Sequence, residues 1–280
     1  MIIFKKAKQL RAYVNQQKAD KKKIGLVPTM GALHEGHLSL IKSCKQSNSI
    51  TICSIFVNPT QFNNPEDFKH YPITIEKDIE QLVFHNCDVL FLPSVEEIYP
   101  PDYVKKTYDL GNIENILEGF YRPGHFQGVC EVVDRLLEII QPDNLYLGQK
   151  DFQQCIVIKK LIALLGKENE IKLNIAPTIR EADGLAMSSR NLRLNDEQRK
   201  LASSIFRELN FIKEHFKDQP LNELKKSAED HLLQKGFKVD YVEIANENDL
   251  STAAGTSGKL VALAAAATGN IRLIDNIVLN

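Results

Sequence analysis

Apolar runs rich in β-branched residues alternate with helix-patterned stretches through the first two thirds of the chain, and this alternation constrains the fold more than any other feature. A strand-like run at residues 24–28 is followed by a helical stretch from 36 to about 47 and a second run at 50–57, the pattern of a βαβ unit. Further strand candidates lie at 88–92, 144–148 and 171–176. Each follows enough helix-like sequence for the crossover that parallel strands require. The clearest helix spans about 126–140, where Phe126, Val129, Val133, Leu136, Leu137 and Ile140 recur on one face before Pro142 stops it. The expected class is α/β, with a Rossmann-like, doubly wound parallel sheet.

After Pro177 the rhythm changes. Helical segments at about 196–216 and 221–235 precede strand-like runs at 238–245, 259–266 and 270–278, with a polar loop at 247–258. The expected division is a Rossmann-like domain at 1–176 and a smaller α+β domain at 177–280. Lys plus Arg number 35 against 36 for Asp plus Glu, so the excess of positive charge that would favour nucleic acid or anionic membranes is absent. The apolar run 260–267 is far too short to cross a bilayer, and Lys5 and Lys6 interrupt the start before a secretory signal can develop. Cys44, Cys53, Cys87, Cys130 and Cys155 show no metal or redox spacing and read as buried thiols of a cytoplasmic protein.

The segment most informative about chemistry is PTMGALHEGH at 28–37, directly after the first strand and before a helix. In an open parallel sheet, ligands sit beyond the carboxyl ends of strands, where a following helix offers N–H groups and its positive end to an anion. His34 and His37 can share the opening face of that helix and donate to phosphate oxygens, while Gly31 and Gly36 permit close backbone approach. A zinc site is the competing reading, but H-E-G-H is not H-E-x-x-H, and no third ligand stands at a recognisable spacing. Two histidines packed at a strand end is the bland one. LGQKDFQQ at 147–154 repeats the strand-to-helix position. Gly148 allows close passage of a ligand, Lys150 brings a compact charge, and Asp151 either accepts from ribose hydroxyls or caps a helix. A third segment, AMSSRN at 186–191, sets two hydroxyls beside a guanidinium. Its donors suit a triphosphate, though such a string can equally be an ordinary loop.

With FVNPTQF at 56–62, RPGHFQGV at 122–129, DGLAMSSRN at 183–191 and RLIDN at 272–276, these strings make the chain resemble the pantothenate synthetase (pantoate:β-alanine ligase) family. That family belongs to the nucleotidyltransferases that share a His-x-Gly-His signature with class I aminoacyl-tRNA synthetases. The resemblance spans nearly the whole chain. It implies a ligase of pantothenate and coenzyme A biosynthesis that joins pantoate to β-alanine through pantoyl adenylate, releasing AMP and pyrophosphate. It also implies a cytoplasmic homodimer whose C-terminal domain acts as a lid over the ATP site, with ATP and Mg2+ as the small-molecule requirements.

Carried onto this sequence, the resemblance makes His34, His37, Lys150 and Arg190 the catalytic set, with His37 the candidate proton donor. ATP would meet Met30, Gly31, Ala32, Leu33, Glu35 and Gly36 beside the histidines, then Gly148, Gln149, Asp151, Ile179, Met187, Ser188 and Ser189. Gln61 and Gln154 would bind pantoate. Met30, Val129, Val132 and Val133 would form an apolar wall, and Asn58 would support the pocket; core packing for each valine, and a turn role for Asn58 beside Pro59, stand as alternatives. One departure concerns magnesium. After Tyr71-Pro72 the family commonly carries an arginine and an acidic cluster, whereas here Ile73-Thr74-Ile75-Glu76-Lys77-Asp78 follows, which leaves Asp78 as the remaining candidate carboxylate. No dedicated protein metal cage is expected. Other readings are a nucleotidyltransferase acting on another acid or a phosphorylated substrate, and a non-catalytic adenine-nucleotide sensor.

Overall fold

The computed structural model describes the whole chain, residues 1–280. Two compact units emerge: Met1–Gly148 with Val157–Ala176, and Gln149–Ile156 with Pro177–Asn280. Residues 149–156, which the division read from sequence assigns to the first domain, cluster with the second unit.

The first unit runs β1 (Ile2–Phe4), α1 (Ala7–Ala19), β2 (Ile24–Thr29), α2 (Glu35–Ser47), β3 (Ile50–Ile55), α3 (Pro65–Lys69), α4 (Ile75–Phe84) and β4 (Val89–Phe91). It continues through α5 (Val95–Ile98), α6 (Glu118–Tyr121), α7 (His125–Ile140), β5 (Asn144–Gly148), α8 (Phe152–Leu164) and β6 (Lys172–Ala176), the first turns of α8 counting with the second unit. All six strands form one parallel sheet in the order β1-β4-β3-β2-β5-β6. The doubly wound α/β architecture expected from the alternation is therefore present. Because side chains alternate along a strand, Val27, Cys53 and Leu90 enter one layer with Ile41 and Cys44 of α2 and Leu82 of α4. Leu26, Ile52 and Val89 point the other way and are equally buried, as a parallel sheet covered on both faces demands.

Strand order reverses at β2, whose successor β3 lies on one side and β5 on the other. Pairing between β2 and β5 is confined to Gly25 and Leu26, and Pro28, lacking an amide hydrogen, cannot extend it. The ladder thus stops short of the carboxyl ends, where a doubly wound sheet holds its ligands. Burial pushes the thiols of Cys44 and Cys130 up to about 12 and that of Cys87 up to about 11, so these are packing groups, not nucleophiles.

The second unit adds α9 (Asp196–Ala202), α10 (Ser204–His215), α11 (Leu221–Gln234) and an antiparallel sheet of β7 (Lys238–Asn246), β8 (Leu260–Thr268) and β9 (Ile271–Val278). Leu209 and Ile212 of α10 pack with Leu224, Ala228 and Leu232 of α11 against Ile244, Ala262 and Ala264. One helix over 196–216 was expected; the structure breaks it at Ser203. Ser203 and Ser204 are both buried, and Ser204 Oγ accepts from the Arg207 guanidinium at 2.9 Å. Such hydroxyls compete with helical hydrogen bonding. No helix is long and apolar enough to cross a membrane.

Candidate active site

The loop from β2 to α2 is built by two successive residues of positive φ, Gly31 (+83°) and Ala32 (+49°). Glycine tolerates this conformation, but alanine adopts it only when its surroundings insist. The insisting group is Asp78 of α4. It is 1% exposed, and its Oδ2 and Oδ1 accept from the N–H groups of Ala32 at 2.9 Å and Leu33 at 2.8 Å. Thr74 Oγ1 donates to Oδ1 at 3.0 Å, and the Gly31 N–H is directed to Thr29 Oγ1 at 3.2 Å. Asp78, the sequence candidate for a magnesium-side carboxylate, is therefore the clasp of this loop. The amides at 31–33 are thus engaged within the protein, by Thr29 and Asp78.

His34 is the N-cap of α2: its Nδ1 accepts from the Gly36 N–H at 3.2 Å. An accepting Nδ1 places the proton of a neutral ring on Nε2, where it can be donated. The His37 ring lies against it, centroids 4.0 Å apart. Glu35 is exposed, while Met30, Leu33, His34, Gly36 and His37 are half-buried. The expected pair thus stands at the N-terminus of a helix of 13 residues, beyond the carboxyl end of β2.

Asn58 caps a short 3-10 turn at Pro59–Gln61, Gln61 ends it, and both are buried. Asn58 Nδ2 donates to Gln61 Oε1 and to the Gly128 carbonyl, both at 3.1 Å, and Gln61 Nε2 lies 3.3 Å from Met30 Sδ. Gln61, Met30 and Asn58 are therefore brought together as expected. A Cβ at Gly128 would lie 2.3 Å from the Thr60 carbonyl oxygen, so glycine is what lets α7 approach this turn. Val129, Val132 and Val133 are buried on the same helix. His125 Nδ1 bonds the Gln61 carbonyl at 2.8 Å, and its Nε2 faces Arg122 Nη1 at 3.1 Å; because a carbonyl only accepts and a guanidinium only donates, Nδ1 carries the proton.

In the second unit, Gln149–Asp151 is a 3-10 turn held by Asn276, whose Nδ2 donates to the carbonyls of Gln149 at 3.0 Å and Lys150 at 2.8 Å. Lys150 Nζ lies 3.6 Å from Asp151 Oδ1. Gln154 is half-buried on α8. Ser188 Oγ accepts from the Arg190 N–H at 3.3 Å and opens the turn Ser189–Arg193, with Ser189 buried. Met187 N donates to Ile179 O at 3.0 Å. Beneath these segments Arg180 makes a two-pronged pair with Asp275 at 2.6 and 3.0 Å, donates to the Asn276 carbonyl at 3.1 Å and lies over the Phe206 ring at 4.1 Å. Burial pushes the Asp275 carboxyl up, and Arg180 pulls it back.

Sequence reasoning gave no role to Tyr99, His125, Arg180, Asp275 or Asn276. All five support named site residues or their loops, and the RPGHF and RLIDN strings were the signal available for three of them.

A family profile described as pantoate-beta-alanine ligase matches residues 2–278. The chain belongs to this family. Curated members called pantothenate synthetase are 43% identical to it, one from Caldicellulosiruptor bescii over 99% of both chains and one from Flavobacterium psychrophilum over 100% of both. A solved family structure from Thermus thermophilus is 36% identical with a TM-score of 0.93, covering 100% of this chain and 99% of that one. Another, pantoate-beta-alanine ligase from Francisella tularensis complexed with beta-gamma ATP and beta-alanine, is 39% identical with a TM-score of 0.84, covering 100% and 98%.

Proposed function

We propose that the protein condenses pantoate with β-alanine, using ATP, to give pantothenate, AMP and pyrophosphate. The observation that carries this is the closely packed pair His34 and His37 at the opening of α2, in a chain of the pantoate–β-alanine ligase family. In the first half-reaction, a pantoate carboxylate oxygen attacks the α-phosphorus and the bond to pyrophosphate breaks, leaving pantoyl adenylate. In the second, the neutral amine of β-alanine attacks the acyl carbon, AMP departs and the amine loses a proton.

Gln61 and Gln154 orient pantoate through neutral amides. An arginine pair would hold the carboxylate more tightly but lower its reactivity, whereas amides position it and leave it nucleophilic. Met30 and the valines of α7 face its methyl groups. His34 and His37 meet the phosphates with ring N–H groups, and His37 donates a proton toward the departing pyrophosphate. Lys150, Ser188, Ser189 and Arg190 stabilise the charge that moves onto that group; Gly148, Gln149, Asp151, Ile179 and Met187 receive the nucleoside. Fixed donors of this kind each contribute about 10²- to 10³-fold to rate. Magnesium accompanies ATP, held mainly by phosphate oxygens and water. Asp78 does not suit that ion, because both its oxygens are committed to loop N–H groups. We also read the protein as a cytoplasmic homodimer; sedimentation velocity would report the dimer directly.

The deciding experiment is exchange of labelled pyrophosphate into ATP, dependent on pantoate and with no amine present, followed by addition of β-alanine. AMP and pantothenate should then appear together. His37→Ala should fold normally and lose exchange by about 10²-fold or more. Exchange without pantoate dependence, or an unchanged rate in folded His37→Ala, would count against the assignment.

A further inference from the structure

We infer that Tyr99 is a positioning residue for pantoate recognition, fixing which face of the Gln61 amide the substrate meets. The inference rests on the reading of Gln61 as a pantoate ligand. Asn58 is the link. Its Oδ1 accepts from the Thr60 N–H at 3.3 Å, and its Nδ2 donates to the Gly128 carbonyl at 3.1 Å. A backbone N–H can only donate and a carbonyl can only accept, so these two contacts identify which end of the Asn58 amide is oxygen; the Thr60 hydroxyl adds a bond to Oδ1 at 3.1 Å. The Tyr99 hydroxyl donates to the same Oδ1 at 2.9 Å, the shortest bond that atom makes.

The other end of Asn58 then decides Gln61. With Asn58 Nδ2 donating to Gln61 Oε1 at 3.1 Å, the Gln61 oxygen is engaged from behind and its Nε2 is turned away, toward Met30 Sδ at 3.3 Å. An amide set this way offers hydrogens. That suits the carboxylate and hydroxyl oxygens of a hydroxy acid and disfavours a ligand presenting N–H. A flipped Gln61 would instead place its NH2 against the Asn58 NH2, a clash between donors. The register is reinforced from the backbone side, since His125 Nδ1 bonds the Gln61 carbonyl at 2.8 Å.

Tyr99 is suited to the task because its hydrogen stays on. Burial first, and the nearby Glu131 carboxylate in addition, push the phenol up, so it remains a donor at any working pH. A neighbouring tyrosine serves as a control. The Tyr103 ring lies 5.4 Å from that of Tyr99, and the Tyr103 hydroxyl is buried without a hydrogen-bond partner. Both rings can lose a hydroxyl with little change in shape, but only Tyr99 is wired to Gln61.

The test is steady-state pyrophosphate exchange on the full chain with Tyr99→Phe, Tyr103→Phe, Asn58→Ala and the Tyr99→Phe/Asn58→Ala double variant. Tyr99→Phe should raise the KM for pantoate about five- to tenfold, the loss of one hydrogen bond, while the KM for ATP and the melting temperature stay near those of Tyr103→Phe. In the Asn58→Ala background the same change should add nothing, because the relay is already cut. Equal shifts in both substrates, a pantoate KM equal to that of Tyr103→Phe, or additive effects in the double variant would overturn the inference. If Asn58→Ala turns over too slowly to assay, the single substitutions decide. Wild-type protein that exchanges without responding to pantoate overturns the functional reading and this inference together. A wild-type response to pantoate with an unmoved Tyr99→Phe overturns the inference alone.

Discussion

The turns that follow β2 and β5, two paired strands of one sheet, are held by opposite chemistry. After β2, a carboxylate accepts from backbone N–H groups: Asp78 takes those of Ala32 and Leu33. After β5, a neutral amide donates to backbone carbonyls: Asn276 gives to those of Gln149 and Lys150. The first clasp restrains a backbone with two positive φ angles in a row, and a charge-assisted bond suits that load. The second restrains a 3-10 turn whose residues are all half-buried, where water can replace a lost partner. Similar places in the fold therefore need anchors of different strength.

Removing the stronger clasp should have the largest effect. Asp78→Ala strands donors of a buried loop and should lower unfolding free energy by about 3 kcal/mol in urea, at 1–3 kcal/mol per unsatisfied group, with pyrophosphate exchange falling in parallel. A loss below about 1 kcal/mol would erase the distinction between the turns. Gly31→Ala attacks the same loop from within. A Cβ there would lie 3.0 Å from Ile55 Cγ2 and 3.1 Å from Asp78 Oδ2 at a φ of +83°, so about 2 kcal/mol should be lost. Its counterpart Gly148 has open space and no positive φ, so Gly148→Ala should melt as wild type, and any rise it causes in the KM for ATP reports contact with nucleotide.

Asn276→Ala removes neutral bonds to half-exposed carbonyls and should cost about 1 kcal/mol, well under the Asp78 effect. The smallest loss among the ion pairs and clasps sets a baseline for carboxylates in water. Asp183 pairs with Arg199 at 2.5 Å, but these side chains are 40% and 35% exposed. Arg199→Ala should cost no more than about 0.5 kcal/mol after solvent screening. Chiefly through its hydrogen bond, Arg199 holds the Asp183 carboxyl below its ordinary value of 3.8. A lowered folded value means that the contribution is present above pH 3.8 and lost as pH falls through the folded value. Thermal melts of the two proteins should therefore converge in strong acid.

The sheet was legible in the sequence where strands are buried on both faces, because β2, β3 and β5 are near-continuous apolar runs. β1 was not. Three residues, partly exposed, carry neither period nor length, and their place depends on β4 far along the chain. The break at Ser203 was missed because the apolar spacing of α9 and α10 runs on across it, and only the buried serines mark the interruption. Site residues that are neighbours in sequence, such as His34 with His37, could be read from spacing. Their supports could not, since Asp78, Tyr99 and Asn276 reach their partners across long stretches of chain. Asp78 shows the difficulty well. Its residue type suggested a cation, whereas its partners are backbone amides, and only the fold distinguishes the two.

The position of β1 has a consequence for how the chain assembles as it is synthesised. Ile2 pairs with Val89, so β1 has no place to dock until β4, its one neighbour in the sheet, has followed it. Meanwhile β2, α2 and β3 close a far more local unit, and such contacts form early because less chain must be ordered between them. Although it precedes the other five strands of its sheet in the chain, β1 is thus among the last fastened, held along one side at the margin of the sheet. Amide hydrogens of β1 should exchange sooner than those of β2 or β3, as the segment most ready to peel away while the rest of the sheet stays shut.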